Sequence, residues 1–210
     1  MRTCVLAGAA LLALAGCNRP AGNAAAVNAT APAPAAHAGS NAAVPAPTGG
    51  GSGYAASLDA RWPQGQAVTP AEARQLVDRQ GGGEAAVALE GRSAPNRWAT
   101  VLRGIAMGDP AWMDVAMALA PGIDGAPAEA FNMAVSDALT ANASGALRIV
   151  GTGGAATYCK DNGTEEARSG AFYQAAISAV DAVSDPALQA AKASCLANLR
   201  AEQGKLGQPG

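Results

Sequence analysis

The residues that come nearest to a catalytic pair are three carboxylates near position 165. Glu165 and Glu166 are adjacent, and Asp161 precedes them. A pair of carboxyl groups, one acting as acid and one as base, is what glycoside hydrolysis uses. Adjacent glutamates are also typical of the solvated first turn of a helix, where they interact favourably with the helix dipole. A carboxylate-dependent hydrolase is therefore an alternative here, and we predict no catalytic residue.

Metal and nucleotide chemistry find little support in the residue types. His37 is the single histidine, which removes most zinc sites and most Ser-His or Cys-His mechanisms. Residues 151–156 imitate a dinucleotide-binding G-x-G-x-x-A pattern, but the preceding apolar residues read as a short helix, whereas the motif needs a strand. We expect neither a metal nor a cofactor.

Composition excludes a nucleic-acid partner. The chain has 210 residues, a net charge of −2, 14% charged residues and 4% aromatic residues, so it lacks a basic footprint. Trp98 and Trp112 could line a groove for a small apolar ligand. Their helical spacing with valine and leucine favours core packing instead.

The N-terminus resembles a bacterial lipoprotein signal. One basic residue, Arg2, precedes an uncharged run, and residues 14–17 read Leu-Ala-Gly-Cys, which resembles the lipobox. In that family the signal is cleaved before the cysteine, whose thiol is lipidated. The resemblance implies a signal peptide over residues 1–16, acyl chains such as palmitate on Cys17, and a membrane-lipid partner. Asn18, rather than an aspartate, favours the outer over the inner membrane by the same resemblance.

A composition change separates a tether from a domain. Residues 17–57 are rich in Ala, Pro and Gly and contain one charge, Arg19, so they are predicted to be disordered. All 16 acidic residues and 12 of the 14 basic residues lie from residue 58 onward. We predict a domain over residues 58–207.

The cysteine count leaves one pair in that domain. Cys4 leaves with the signal and Cys17 carries lipid, so Cys159 and Cys195 remain in an oxidising compartment. They are predicted to form a disulfide; two free thiols, one of them a nucleophile, are the alternative.

Apolar periodicity and capping residues predict an all-α bundle or small α-α superhelix of about seven or eight short helices. Thr69, Asp109, Asn142 and Asp185 stand at predicted helix starts. Short connections between the helices favour antiparallel neighbours. A glycine-rich break is expected after Val150.

A second resemblance covers roughly 100 residues. The run Gly-Asp-Pro-Ala-Trp at 108–112, together with Asn142, Cys159 and Cys195, is similar to an uncharacterised family of helical proteins of the bacterial envelope. The resemblance implies the helical fold and the cysteine pairing and carries no activity. These observations predict a non-catalytic, lipid-anchored interaction module facing the periplasm, with an envelope protein or peptidoglycan as partner. A carboxylate-dependent cell-wall hydrolase and a binder of small apolar ligands are the alternatives.

Overall fold

A computed structural model of the chain describes residue 58 and residues 60–91, 96–162 and 166–206, without the side chains of residues 166–169. Over these residues the chain forms nine α-helices and one 3-10 turn, without a strand, which confirms the all-α prediction. The helices are α1 Pro70–Gln80, α2 Gly82–Glu90, α3 Arg97–Ala106, α4 Pro110–Leu119, α5 Gly125–Ala141, α6 Ala143–Gly153, α7 Ala155–Tyr158, α8 Glu166–Asp181 and α9 Gln189–Gln203, with the 3-10 turn at Pro186–Leu188. The predicted signal, Cys17 and the tether lie outside the described residues.

Local capping explains where several helices begin. Thr69 and Glu72 form a reciprocal capping box at α1. The Glu72 carboxylate accepts hydrogen bonds from the Thr69 backbone N–H, which is the larger cause, and from the Thr69 hydroxyl, and both lower the pKa of the Glu72 carboxyl. Asp109 caps α4 ahead of Pro110, and Asn142 caps α6. These starts are the predicted ones, because each depends on side chains only two or three residues away.

The core lies around α5, which packs against α3, α6 and α8. Four apolar residues of α5 are fully buried: Phe131, Val135, Ala138 and Leu139. Helix α9 packs against α8 and α6, with Cys195 and Leu199 buried. Short side chains on these helices allow close approach.

The glycine-rich break after Val150 was predicted wrongly. Helix α6 continues through Gly151 to Gly153, and α7 starts at Ala155. A Cβ added at Gly153 would overlap the ring of Tyr158, so the glycine provides the space in which that ring packs. The helix ends instead at Gly154, whose φ of 89° is in the left-handed region that favours glycine.

Residues 58 and 60–66, called the N-terminal segment below, precede the first long helix and pack on the bundle. Leu58 and Trp62 are buried, at 3% and 7% exposure. The Trp62 backbone N–H donates to the Leu58 carbonyl at 2.9 Å, so these residues form one turn. Further along, the Gln66 backbone N–H donates to the Asn96 carbonyl at 3.0 Å.

Candidate functional site

The most unusual side chain of the described bundle is Asp137, a carboxylate in the C-terminal part of α5 that is 1% exposed. Its neighbours on the helix, Val135 and Ala138, are core residues, so the carboxylate enters the bundle with them. A buried charge is costly unless it is paired and hydrogen-bonded. The Asp137 carboxylate therefore requires charged or hydrogen-bonding partners inside the bundle.

The N-terminal segment supplies partners to both oxygens of Asp137. Arg61 Nη1 lies 3.0 Å from Oδ1 and 3.2 Å from Oδ2, and the indole Nε1 of Trp62 donates to Oδ2 at 2.7 Å. Charge-assisted hydrogen bonds of this kind are among the stronger ones in proteins. Arg103 of α3 donates to the Trp62 carbonyl at 2.6 Å, which holds the segment from the other side.

Arg61 also faces a second carboxylate, Asp161, which follows the disulfide-bonded Cys159. The distance from Arg61 Nη2 to Asp161 Oδ1 is 3.9 Å, and the Asp161 side chain is 5% exposed. One guanidinium thus lies between two buried carboxylates. Neither carboxylate side chain faces solvent. The carboxylates of a substrate cleft, in contrast, are accessible.

Hydrogen bonds fasten the connection after α7 to three helices. The Ser136 hydroxyl of α5 lies 2.8 Å from the Tyr158 carbonyl and accepts from the Asn162 amide at 2.7 Å. The Tyr173 hydroxyl of α8 accepts from the backbone N–H of Asp161 at 3.1 Å. The Asn198 amide of α9 donates to the Cys159 carbonyl at 2.8 Å. Three of these four hydrogen bonds involve backbone groups of Tyr158, Cys159 and Asp161, so the backbone of the connection is fixed against α5, α8 and α9.

The structure joins Cys159 to Cys195, as predicted. Their sulfurs are 2.04 Å apart, their Cα atoms are 5.3 Å apart, and 36 residues separate them. Both cysteines are fully buried. The bond links the connection that carries Asp161 to α9, and it removes both thiols from consideration as nucleophiles.

Burial also shifts the two tyrosines beside this network. Desolvation raises the pKa of the Tyr158 hydroxyl. Desolvation is also the largest cause raising the pKa of Tyr173, while its hydrogen bond from Asp161 acts in the opposite direction. Because burial disfavours the charged form, both hydroxyls are neutral near pH 7.

Of the carboxylates singled out in the sequence, Asp161 alone has a described side chain. Glu166 starts α8 without a described side chain, and Glu165 lies outside the described residues, as do Cys17 and His37. Sequence reasoning missed Arg61, Trp62 and Asp137. The available signal was a single carboxylate beside the apolar positions of α5, together with a basic-aromatic pair just after the predicted tether.

The two tryptophans with helical spacing are core residues, at 4% and 8% exposure for Trp98 and Trp112. A Cβ added at Gly104 of α3 would overlap the Trp112 ring, so α3 and α4 pack tightly there. The indole N–H of Trp98 is buried without a hydrogen-bond partner within the described part of the chain. This arrangement favours core packing over a ligand groove between the two helices.

Other site types find no support in the described ranges. A shallow depression of about 200 Å³ is lined by Ala67, Val68, Glu72, Gln75, Leu76, Arg79 and Arg97. Residues 151–156 form the end of α6 and the start of α7, not the strand-to-helix turn of a dinucleotide site. Across residues 58, 60–91, 96–162 and 166–206, no group of three metal-ligating side chains occurs, and none of the helices there has the length and apolarity to cross a bilayer.

Comparison with known proteins gives no relative: no family, no curated protein and no solved structure matches this chain.

Proposed function

We propose that this protein is a non-catalytic, lipid-anchored helical module of the bacterial envelope, held at the membrane through Cys17 and used for contact with an envelope protein or with peptidoglycan. The structural observation that carries the non-catalytic part is the pairing of Asp137 and Asp161 with one guanidinium. These buried carboxylates interact with Arg61 inside the domain and do not face solvent. The lipobox resemblance of residues 14–17 supports the anchor.

The position of the ion pair also fits a tethered module. In the proposed protein the tether joins the domain at residue 58, and Leu58, Arg61 and Trp62 are the first described residues that pack on the bundle. The first residues after a flexible tether must stay packed on the domain, because otherwise the end of the domain would unfold locally. Burial of Leu58 and Trp62, together with the charge-assisted hydrogen bonds from Arg61 and Trp62 to Asp137, holds these residues on the bundle.

Lipidation is tested by growing cells that express the full chain with radiolabelled palmitate. The expected result is a labelled protein that enters the detergent phase of a Triton X-114 partition, because acyl chains anchor it. Cys17→Ser should abolish the label, while the matched control Cys4→Ser, which alters the other N-terminal cysteine, should keep it. Labelling of the Cys17→Ser variant would show that the anchor proposal is wrong.

The hydrolase alternative is tested with purified peptidoglycan. Wild-type protein and the Asp137→Asn and Asp161→Asn variants should all release no soluble fragments above a blank. Release by wild type that is lost in both variants would replace the proposed module with an enzyme. For the partner, crosslinking in intact cells should recover the same envelope component from wild type at both low and high expression.

A further inference from the structure

Asp124 is the single aspartate of the sequence that a glycine follows directly. Asp124 and Gly125 form the boundary at which α5 begins. The backbone nitrogen of a following residue can attack the side-chain carbon of an aspartate and close a five-membered succinimide ring. Glycine favours this attack, because it has no Cβ to obstruct the nitrogen and its backbone is the freest to rotate.

The Asp124 carboxylate is not held by a capping hydrogen bond. Asp124 occupies the N-cap position of α5, but its side chain accepts no hydrogen bond there, and the residue is exposed. An N-cap side chain normally accepts from the backbone N–H of the second or third helical residue. The third residue of α5 is Pro127, which has no N–H. One of the two donors that could hold this carboxylate is therefore missing.

The backbone nitrogen of Gly125 is also accessible. Gly125 is exposed and is the first residue of α5, where a backbone N–H has no partner within the helix. Its φ of 61° lies in the left-handed region that favours glycine. A Cβ added at Gly125 would meet nothing within 4 Å, so the two residues have room to rotate as the ring closes.

Asp109 and Asp185, which also stand at helix starts, are protected from this reaction in two ways. The Asp109 carboxylate accepts from the Ala111 backbone N–H at 2.9 Å, and the Asp185 carboxylate accepts from the Ala187 backbone N–H at 2.9 Å. Each of the two aspartates is followed by a proline, which has no N–H to lose. Asp124 has neither protection.

We propose that Asp124 is a modification site, at which the aspartate isomerises to isoaspartate through a succinimide with Gly125. The Gly125 nitrogen bonds to the side-chain carbon of the protonated carboxyl, the C–OH bond of that carboxyl breaks, and the hydroxyl leaves as water with the amide proton. Water then opens the ring. Attack at the side-chain carbonyl restores aspartate, and attack at the backbone carbonyl gives isoaspartate. This inference goes beyond the proposed function and does not depend on lipidation.

The isomerised protein is expected to stay folded. Isomerisation routes the main chain through the former side chain, which adds one methylene to the backbone at the start of α5 and keeps the negative charge. Residues 124–126 are exposed, and the first buried residue of α5 is Phe131. The change is therefore expected to loosen the first turn of α5 and to leave its core contacts in place.

The test incubates purified full-length protein for weeks in detergent at physiological temperature. An isoaspartyl methyltransferase with a radioactive methyl donor labels isoaspartate, and electron-transfer fragmentation of the peptides locates it. Wild type should gain label at residue 124 with time. Asp124→Glu should lose that label, because glutamate would have to close a six-membered ring. The matched control Asp114→Glu alters an exposed carboxylate that is paired with Arg148 and should keep it.

Asp124→Asn is a second variant with the opposite expectation. An asparagine closes the same ring by releasing ammonia, so isoaspartate should form faster than in wild type and with the mass change of deamidation. The same mass change identifies any isoaspartate from Asn162, which a glycine also follows. Wild type without isoaspartate at residue 124, undiminished total label in Asp124→Glu, or no isoaspartate from Asp124→Asn would overturn the proposal.

Discussion

Trp62 donates its indole N–H to the Asp137 carboxylate across 2.7 Å, although 75 positions separate the two residues in the sequence. Arg61, the preceding residue, contacts the same carboxylate. Two neighbouring side chains thus pair with one buried charge on α5. This relationship ties the N-terminal segment to α5, the longest helix among the described residues.

Trp62→Phe should destabilise the domain more than Trp98→Phe does. Both changes replace a buried indole by a smaller ring and remove its N–H. The Trp62 N–H donates to a charged group, whereas the Trp98 N–H has no hydrogen-bond partner among the described residues. Losing a hydrogen bond to a buried charged group costs about 1–3 kcal/mol. Urea denaturation of both variants measures the difference, and an equal or larger loss for Trp98→Phe would contradict this role of Trp62.

Cys195→Ser should lower the free energy of unfolding by about 4 kcal/mol, the chain-entropy value for a loop of this length. The connection carrying Asp161 should show faster hydrogen exchange before α9 does, because the bond joins the two. Both sulfurs are fully buried, so dithiothreitol should reduce the bond slowly in buffer and quickly in urea. Thiol titration follows the reaction, and rapid reduction of the folded protein would contradict the burial.

Two glycines inside helices should respond to alanine in opposite directions. A Cβ at Gly104 would overlap the Trp112 ring, whereas a Cβ at Gly170 meets nothing within 4 Å. Gly104→Ala should therefore destabilise the domain by about 1–3 kcal/mol through overpacking. Gly170→Ala should stabilise it by up to about 1 kcal/mol through helix propensity. Thermal unfolding of both variants checks the two signs.

Tyr158 should make stability fall in alkali. Burial raises the pKa of its hydroxyl in the folded state, so folding favours the protonated form. That contribution is complete below the unfolded value of about 10 and is lost as the pH rises through the folded pKa. The free energy of unfolding of wild type should decline faster than that of Tyr158→Phe above about pH 10. Parallel curves for the two proteins between pH 8 and 11 would show that Tyr158 contributes nothing to this dependence.

Local signals in the sequence were sufficient to predict the helical class and several helix starts. Caps such as Thr69, Asp109 and Asn142 act over two or three residues, and apolar periodicity acts over one or two turns, so both can be read from a short window. The pairing of Cys159 with Cys195 was also predicted, because the lipobox resemblance left two cysteines to be paired.

Tertiary structure decided the contacts between residues that lie far apart in the sequence. Asp137 stands beside the apolar positions of α5, but the sequence around it does not contain its partners Arg61 and Trp62, which reach it from far earlier in the chain. The packing of the Tyr158 ring in the space left by Gly153 at the end of α6 is likewise a tertiary contact. The helices were thus determined by interactions between near neighbours, while the buried ion pair arose from packing that brings distant segments together and excludes water from their charges.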